Sequence, residues 1–204
     1  MPGPRSAKKA QTPPKSAAKK AKGTKYEYTD LAKASLSSTA VVNVYGVVID
    51  ATFPYKQNKS LYVCSLKIVD PSLSSGSKGS DYANVVMYAQ RFEDLPVVAK
   101  VGDIVRVHRA NVRMYNNRRQ FNVSMHWNGA YALFSTEKAG DFTPAQHSGE
   151  KSTIEKQDST ILGSLRKWAT TYFEKSDGVS KDMYTALKSV RSQKTDFDVV
   201  ARIS

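Results

Sequence analysis

Asp103 and Glu137 bracket a stretch without a single acidic residue, and within it stand Arg106, Arg109, Arg113, Arg118 and Arg119 with His108 and His126. Tyr115, Phe121, Trp127 and Tyr131 are interleaved among these cations. Cations and flat rings in one stretch suit a single-stranded nucleic acid: a positive groove follows the phosphates, and bases stack on rings for about 1–3 kcal/mol each. Arginine serves better than lysine, because its planar guanidinium also stacks and hydrogen-bonds in pairs.

These residues need a hairpin to hold them. Residues 104–115 and 118–127 read as two strands joined by Asn116-Asn117, since asparagine tolerates the positive φ of a two-residue turn. Val105 and Val107 are apolar on one face, whereas Val112 and Met114 are apolar on the other, so a bulge is expected near 108–110. The period-two rule puts Arg113 and Tyr115 on one face and sets Tyr115 across from Arg118. In the second arm Phe121, Val123 and Met125 alternate with Gln120, Asn122 and Ser124, which makes Phe121 a core residue. Trp127 is open in both directions: strict alternation turns it inward with Met125, but Gly129 breaks the register beside it.

A second cluster, Phe53-Pro54-Tyr55-Lys56-Gln57-Asn58-Lys59, lies between the first two strands and reads as a loop. Lys56 and Lys59 are candidates for phosphate contact there. On the strand that follows, Lys67 shares a face with Val63 and Ser65, and Tyr62 lies on the opposite face. Both reach one ligand only if the groove wraps an edge.

The elements around these clusters are short strands separated by turns. Residues 41–51 are nearly continuous in apolar and β-branched types, with Gly46 marking an expected bulge or bend. Further strands are predicted at 61–69, 82–88, 104–115 and 118–127, with a short helix or turn at 91–98. Five strands, a bent first strand and a small helix between the third and fourth fit an OB-fold barrel. Strand count alone leaves an SH3-like barrel open. A helix at about 159–173 carries Ile161, Leu165, Trp168 and Tyr172 on one stripe, and a second is expected near 181–190. Residues 197–203 read as the first strand of a further barrel, cut short at residue 204. The expected class is therefore all-β with flanking helices. A disordered basic tail is expected over 1–35, an OB-fold over 36–152, a helical connector over 153–192 and the start of a second OB-fold over 193–204.

The 204-residue chain has a formal charge of +13 and is 40% apolar, enough for a real core and for attraction to polyanions. Residues 1–25 contribute eight lysines or arginines and no acid, a composition that cannot offset its ordering entropy. Clusters such as Lys19-Lys20-Ala21-Lys22 suit phosphate contact and nuclear import. The lone Cys64 forms no disulfide within the chain and reads as a small buried hydrophobe. No apolar run reaches the roughly 20 residues a membrane helix needs. Phosphate-binding glycine loops, GxSxG, HExxH and Cys/His metal spacings are absent, so neither catalysis nor a cofactor nor a metal is expected.

The runs Tyr45-Gly46-Val47-Val48-Ile49-Asp50-Ala51-Thr52-Phe53-Pro54-Tyr55-Lys56 and Tyr62-Val63-Cys64-Ser65-Leu66-Lys67-Ile68-Val69-Asp70-Pro71 resemble the protection-of-telomeres family, in its ciliate telomere end-binding alpha-subunit branch. The likeness continues through Gly102-Asp103-Ile104-Val105-Arg106-Val107-His108-Arg109-Ala110, Leu165-Arg166-Lys167-Trp168-Ala169 and Asp196-Phe197-Asp198-Val199-Val200-Ala201. It implies tandem OB-folds in a nuclear protein that caps chromosome ends by binding the G-rich single-stranded 3′ overhang. It implies strand contacts at Lys56, Tyr62, Lys67, Tyr115, Gln120 and Trp127, to which the hairpin reading adds Arg113 and Arg118. Trp127 stands where the family has a tyrosine, a stacking surface of different size. Implied partners are single-stranded telomeric DNA and a telomere end-binding beta subunit, reached through sequence beyond residue 204, with a homodimer as a further arrangement. Two other readings compete: an RNA-binding OB-fold module, told apart by the 2′-hydroxyl, and a protein-interaction barrel whose charge is incidental.

Overall fold

The computed structural model describes residues 26–36, 41–74, 82–115, 118–138, 140–149 and 153–174. The basic tail before residue 26, residues 75–81, the Asn116-Asn117 turn, the expected helix at 181–190 and the expected strand at 197–203 lie outside them.

Alternation of apolar and polar residues produces the strands, because one face of each must meet the core. β1 (Val41–Ala51), β3 (Leu61–Val69), β4 (Ala83–Ala89), β5 (Ile104–Tyr115) and β6 (Arg118–Ser124) run in the order β1-β3-β4-β6-β5, and β5 returns to pair with β1. Within this ring β4 and β6 are parallel and the other pairs antiparallel. A closed five-stranded ring with that one parallel pair is an OB-fold, and the SH3-like alternative falls away. Cys64, Leu66 and Ile68 of β3, Val85 and Met87 of β4, and Phe121 and Val123 of β6 fill the interior without exposure. Burial pushes the Cys64 thiol up to about 12, so it stays a neutral hydrophobe.

Three strands add to the ring. β2 (Tyr55–Asn58) pairs with β3, so the segment expected as a loop at 53–59 is in part a strand. β7 (Ala130–Phe134) pairs with β5, and β8 (Gln146–His147) with β7. The short helix expected between the third and fourth barrel strands is a 3-10 turn at Phe92–Asp94.

The bend in β5 falls where the change of face requires it. Val42 pairs with Ala110 but Val44 with Val107, so β5 holds an extra residue there, and Arg109 takes φ 58°. Gly46 has a different role from the expected bulge. The register of β1 shifts at 42–44 and 48–50 rather than at Gly46, where a Cβ would meet Ile68 Cδ1 at 2.7 Å. Glycine is needed there for close approach.

Two helical pieces depart from expectation. α1 (Leu31–Leu36) falls inside the stretch expected to be a tail, yet Leu31 and Ala34 are buried in the main core. Composition misled here because local charge says nothing about one leucine and one alanine seated on a barrel. The carboxylate of Asp70 fixes this segment: it accepts from Leu31 N at 2.9 Å, and from Ser72 N and Leu73 N in α2 (Pro71–Ser74).

α3 (Lys156–Glu174) covers a second apolar layer around Val47, Ile104 and Phe134. Its fully packed face is Asp158, Leu162, Leu165 and Ala169, with the expected Ile161, Trp168 and Tyr172 on the flank. An aspartate sits in that face because Asp158 closes a polar network. It accepts from Glu155 N at 2.7 Å, Tyr45 Oη at 2.8 Å and Arg106 Nη1 at 3.1 Å. The bond to Glu155 caps the helix start, and the pair with Arg106 ties the helix to β5.

Candidate nucleic-acid interface

The outward residues of β3, β4, β6 and the distal part of β5 line a groove of about 840 Å³, walled at one side by β2 and at the other by the turn after β6. Its floor comes from strict alternation. On β4 Asn84, Val86 and Tyr88 point out while Ala83, Val85, Met87 and Ala89 point in. Beside it on β6, Gln120, Asn122 and Ser124 point into the same groove. β5 adds Asn111, Arg113 and Tyr115, and β2 adds Tyr55 and Gln57.

Large rings are left uncovered around this polar floor. Tyr115 is 62% exposed, Tyr55 53% and Trp127 78%. The orientation of Trp127, open from sequence, follows from how β6 ends. Met125–Trp127 form a 3-10 turn, Asn128 takes a left-handed conformation at φ 65°, and the chain doubles back. A Cβ on Gly129 would stand 2.6 Å from the Ser124 carbonyl oxygen, so only glycine permits that tight return. Met125 packs against the core and Trp127 is thrown outward.

The floor is hydrogen-bonded across strands. Asn84 Nδ2 donates to Gln120 Oε1 at 3.4 Å, Gln120 Nε2 donates to Asn122 Oδ1 at 2.8 Å, and Tyr88 Oη donates to Asn122 Oδ1 at 3.3 Å. Burial, with Tyr55 and Tyr115 nearby, raises the Tyr88 phenol above its ordinary value, so it keeps its proton.

Of the residues expected from sequence, Arg113, Tyr115, Gln120 and Trp127 come together in the groove. Arg118 pairs with Tyr115 in the ladder, as the hairpin reading requires. Lys56 and Tyr62 do not line it. They pair across β2 and β3 on the other side of the sheet, with Lys56 Nζ 5.9 Å from the Tyr62 ring and Tyr62 edge-on to Phe92. Lys67 shares the outward face of Ser65 but lies beyond the groove, in an ion pair with Asp50 at 2.6 Å that raises its ammonium pKa. The arginine-rich stretch is also divided. Arg106 is buried against Asp158, and Arg109, turned by the bulge, bonds to the Asn128 carbonyl away from the groove. Asn84, Tyr88, Asn111 and Asn122 were not singled out from sequence. The period-two pattern of β4 was the available signal, whereas nothing marked Tyr55 as part of a strand.

A family model described as telomeric single-stranded DNA binding POT1/CDC13 matches residues 22–178. The chain belongs to this family. It is 51% identical to the telomere-binding protein subunit alpha of Sterkiella nova over 216 residues, covering 97% of this chain and 44% of that protein. Against the telomere-binding protein subunit alpha of Stylonychia mytilus it is 48% identical over 218 residues, covering 98% and 44%. The chain thus spans less than half the length of these relatives. The crystal structure of fission yeast Pot1 and ssDNA superposes with a TM-score of 0.55 at 19% identity, over 74% of this chain and 50% of that one, a likeness of fold.

Proposed function

We propose that this member of the telomeric family binds single-stranded telomeric DNA in the groove across β3, β4, β6 and β5, and thereby caps and protects chromosome ends. The observation that carries this reading is the ring of exposed Tyr55, Tyr115 and Trp127 around an uncharged amide floor. Rings so placed stack on base faces, which a duplex does not leave accessible, and amides hydrogen-bond to base edges. Arg113 at the rim, with the remaining basic charge of the chain, attracts the phosphates. The site works by binding, and no bond in the DNA is made or broken.

Lys56, Tyr62 and Lys67 then act outside the groove, meeting the strand where it leaves the barrel end; Arg118 contributes beside Tyr115. The name of the relatives, subunit alpha, supports a second subunit as partner. A nuclear location at chromosome ends follows from the same reading. The test is a titration of the chain with the G-rich telomeric single strand, its permuted sequence and the matched RNA, followed by fluorescence anisotropy. Tightest binding to the telomeric DNA is expected. Preference for the RNA would transfer the groove to the RNA-binding alternative, which no observation here favours.

A further inference from the structure

Among the described residues two non-glycine positions take positive φ, Arg109 at 58° and Asn128 at 65°, and one hydrogen bond joins them. Left-handed backbone is costly for a residue such as arginine and persists only where the surroundings hold it. At Arg109 the hold is Asn43, whose Oδ1 accepts from Arg109 N at 3.0 Å while its Nδ2 donates to the Glu27 carbonyl at 3.0 Å. Both partners are main-chain groups, so the direction of that amide is fixed. The bulge turns the guanidinium out of the β5 alternation, with Nη1 3.4 Å from Tyr26 Oη and Nε donating to the Asn128 carbonyl oxygen. That carbonyl belongs to the peptide plane between Asn128 and Gly129. The N–H of the same plane donates to the Ser124 carbonyl at 2.9 Å. One peptide is thus clamped at both ends, by β5 on one side and by the end of β6 on the other. Trp127 is the residue just before it.

We infer that Arg109 is a positioning residue for strand binding: it holds the turn that presents the Trp127 ring to the groove, and it touches no base itself. Arg109 lies outside the groove lining, whereas Trp127 is part of it. Trp127 is 78% exposed, and the ring beside it is His126 of the same turn. Its direction therefore comes from the main chain rather than from packing. A platform ordered before the strand arrives spares the complex the entropy of ordering it. Lysine keeps the charge of Arg109 but cannot place an N–H where the planar guanidinium holds Nε, so charge and position can be separated.

This inference rests on the proposed binding of single strands in the groove, and its test separates the two. Affinity for a labelled G-rich single strand is measured by fluorescence anisotropy for the native chain, Arg109→Lys, Trp127→Ala and the double variant, with melting temperature as the control for folding. Arg109→Lys should weaken binding about threefold or more, a part of the roughly fivefold or greater share of one stacked base. On the Trp127→Ala background the same change should cost almost nothing, because the platform is already gone. In a Trp168→Phe chain, whose remaining tryptophan is Trp127, saturating strand should quench the emission, and Arg109→Lys should reduce that quenching. Gly129→Ala, which sets a Cβ 2.6 Å from the Ser124 carbonyl oxygen and leaves Arg109 in place, should reproduce both losses. Equal losses from Arg109→Lys with and without Trp127 overturn the positioning role and leave strand binding intact. So do full affinity and full quenching in either Arg109→Lys or Gly129→Ala, and so does an unchanged affinity in Trp127→Ala. Failure of the native chain to bind the strand overturns both.

Discussion

Tyr115 is the residue whose exposure is hardest to justify by folding alone: its ring stands on a strand tip over a groove rather than in a core. If it stacks on a base, Tyr115→Ala should weaken strand binding by about 1–3 kcal/mol without changing the melting temperature. An unaltered affinity would reduce it to hairpin surface. Trp127 offers a spectroscopic counterpart, since a ring this exposed should be quenched when a base stacks on it, and Trp127→Ala should remove the signal. Asp103 has a different task. Burial holds its carboxyl at about 6, above the ordinary 3.8, so the folded chain binds this proton more tightly than the unfolded one. The stabilisation is complete below the ordinary value and is lost as pH rises through about 6. Asp103→Asn, which carries no such proton, should therefore gain in melting temperature relative to the native chain between about pH 4 and about pH 7. A difference that does not change over that window would contradict the burial seen here.

At the scale of elements, the N-terminal segment and α3 belong to the barrel's own structure. Leu31 is fully buried, and Asp158 joins α3 to β5 through Arg106. Removal of residues 1–25 should leave the melting temperature nearly unchanged. Removal through residue 36 should cost at least the loss of one core leucine, about 2–5 kcal/mol in a denaturant titration. Asp158→Ala strands a buried guanidinium and should cost about 3–5 kcal/mol by the same measurement. The barrel strands were readable because a half-buried strand must alternate: β1, β3 and β5 appear with their expected ends, and the bulge at Arg109 was required by the exchange of faces between Val107 and Val112. Elements whose signal is not periodic were missed. α1 is a short helix held by tertiary contacts, β2 is four residues leaning on β3, and the turn at Trp127 depends on a collision at Gly129 that only three dimensions reveal. The same limit applies to the candidate site. Arg113, Tyr115, Gln120 and Trp127 could be grouped from one hairpin, but Asn84 and Tyr88 of β4 join them only through the parallel pairing of β4 with β6, which sets Asn84 beside Gln120, 36 residues on.

At the scale of the molecule, the charge of +13 and the groove serve different ends. Charge draws in any polyanion and stacking on rings tolerates any base, so discrimination between strands falls to hydrogen bonds at base edges. Binding should weaken linearly in log salt with a slope of about −0.7 for each phosphate neutralised, and removal of residues 1–25 should flatten that slope while preserving sequence preference. Arg106 shows why charge count alone does not locate the site, since it is spent on Asp158 inside the fold. The most direct measurement is the affinity of the chain for a G-rich telomeric single strand against the same nucleotides in permuted order, at one salt concentration. Clear preference for the telomeric order, with the affinity for both orders lowered in Tyr115→Ala, is the predicted result. Equal affinity for both orders, with the same salt slope, would contradict it and leave the groove a nonspecific surface.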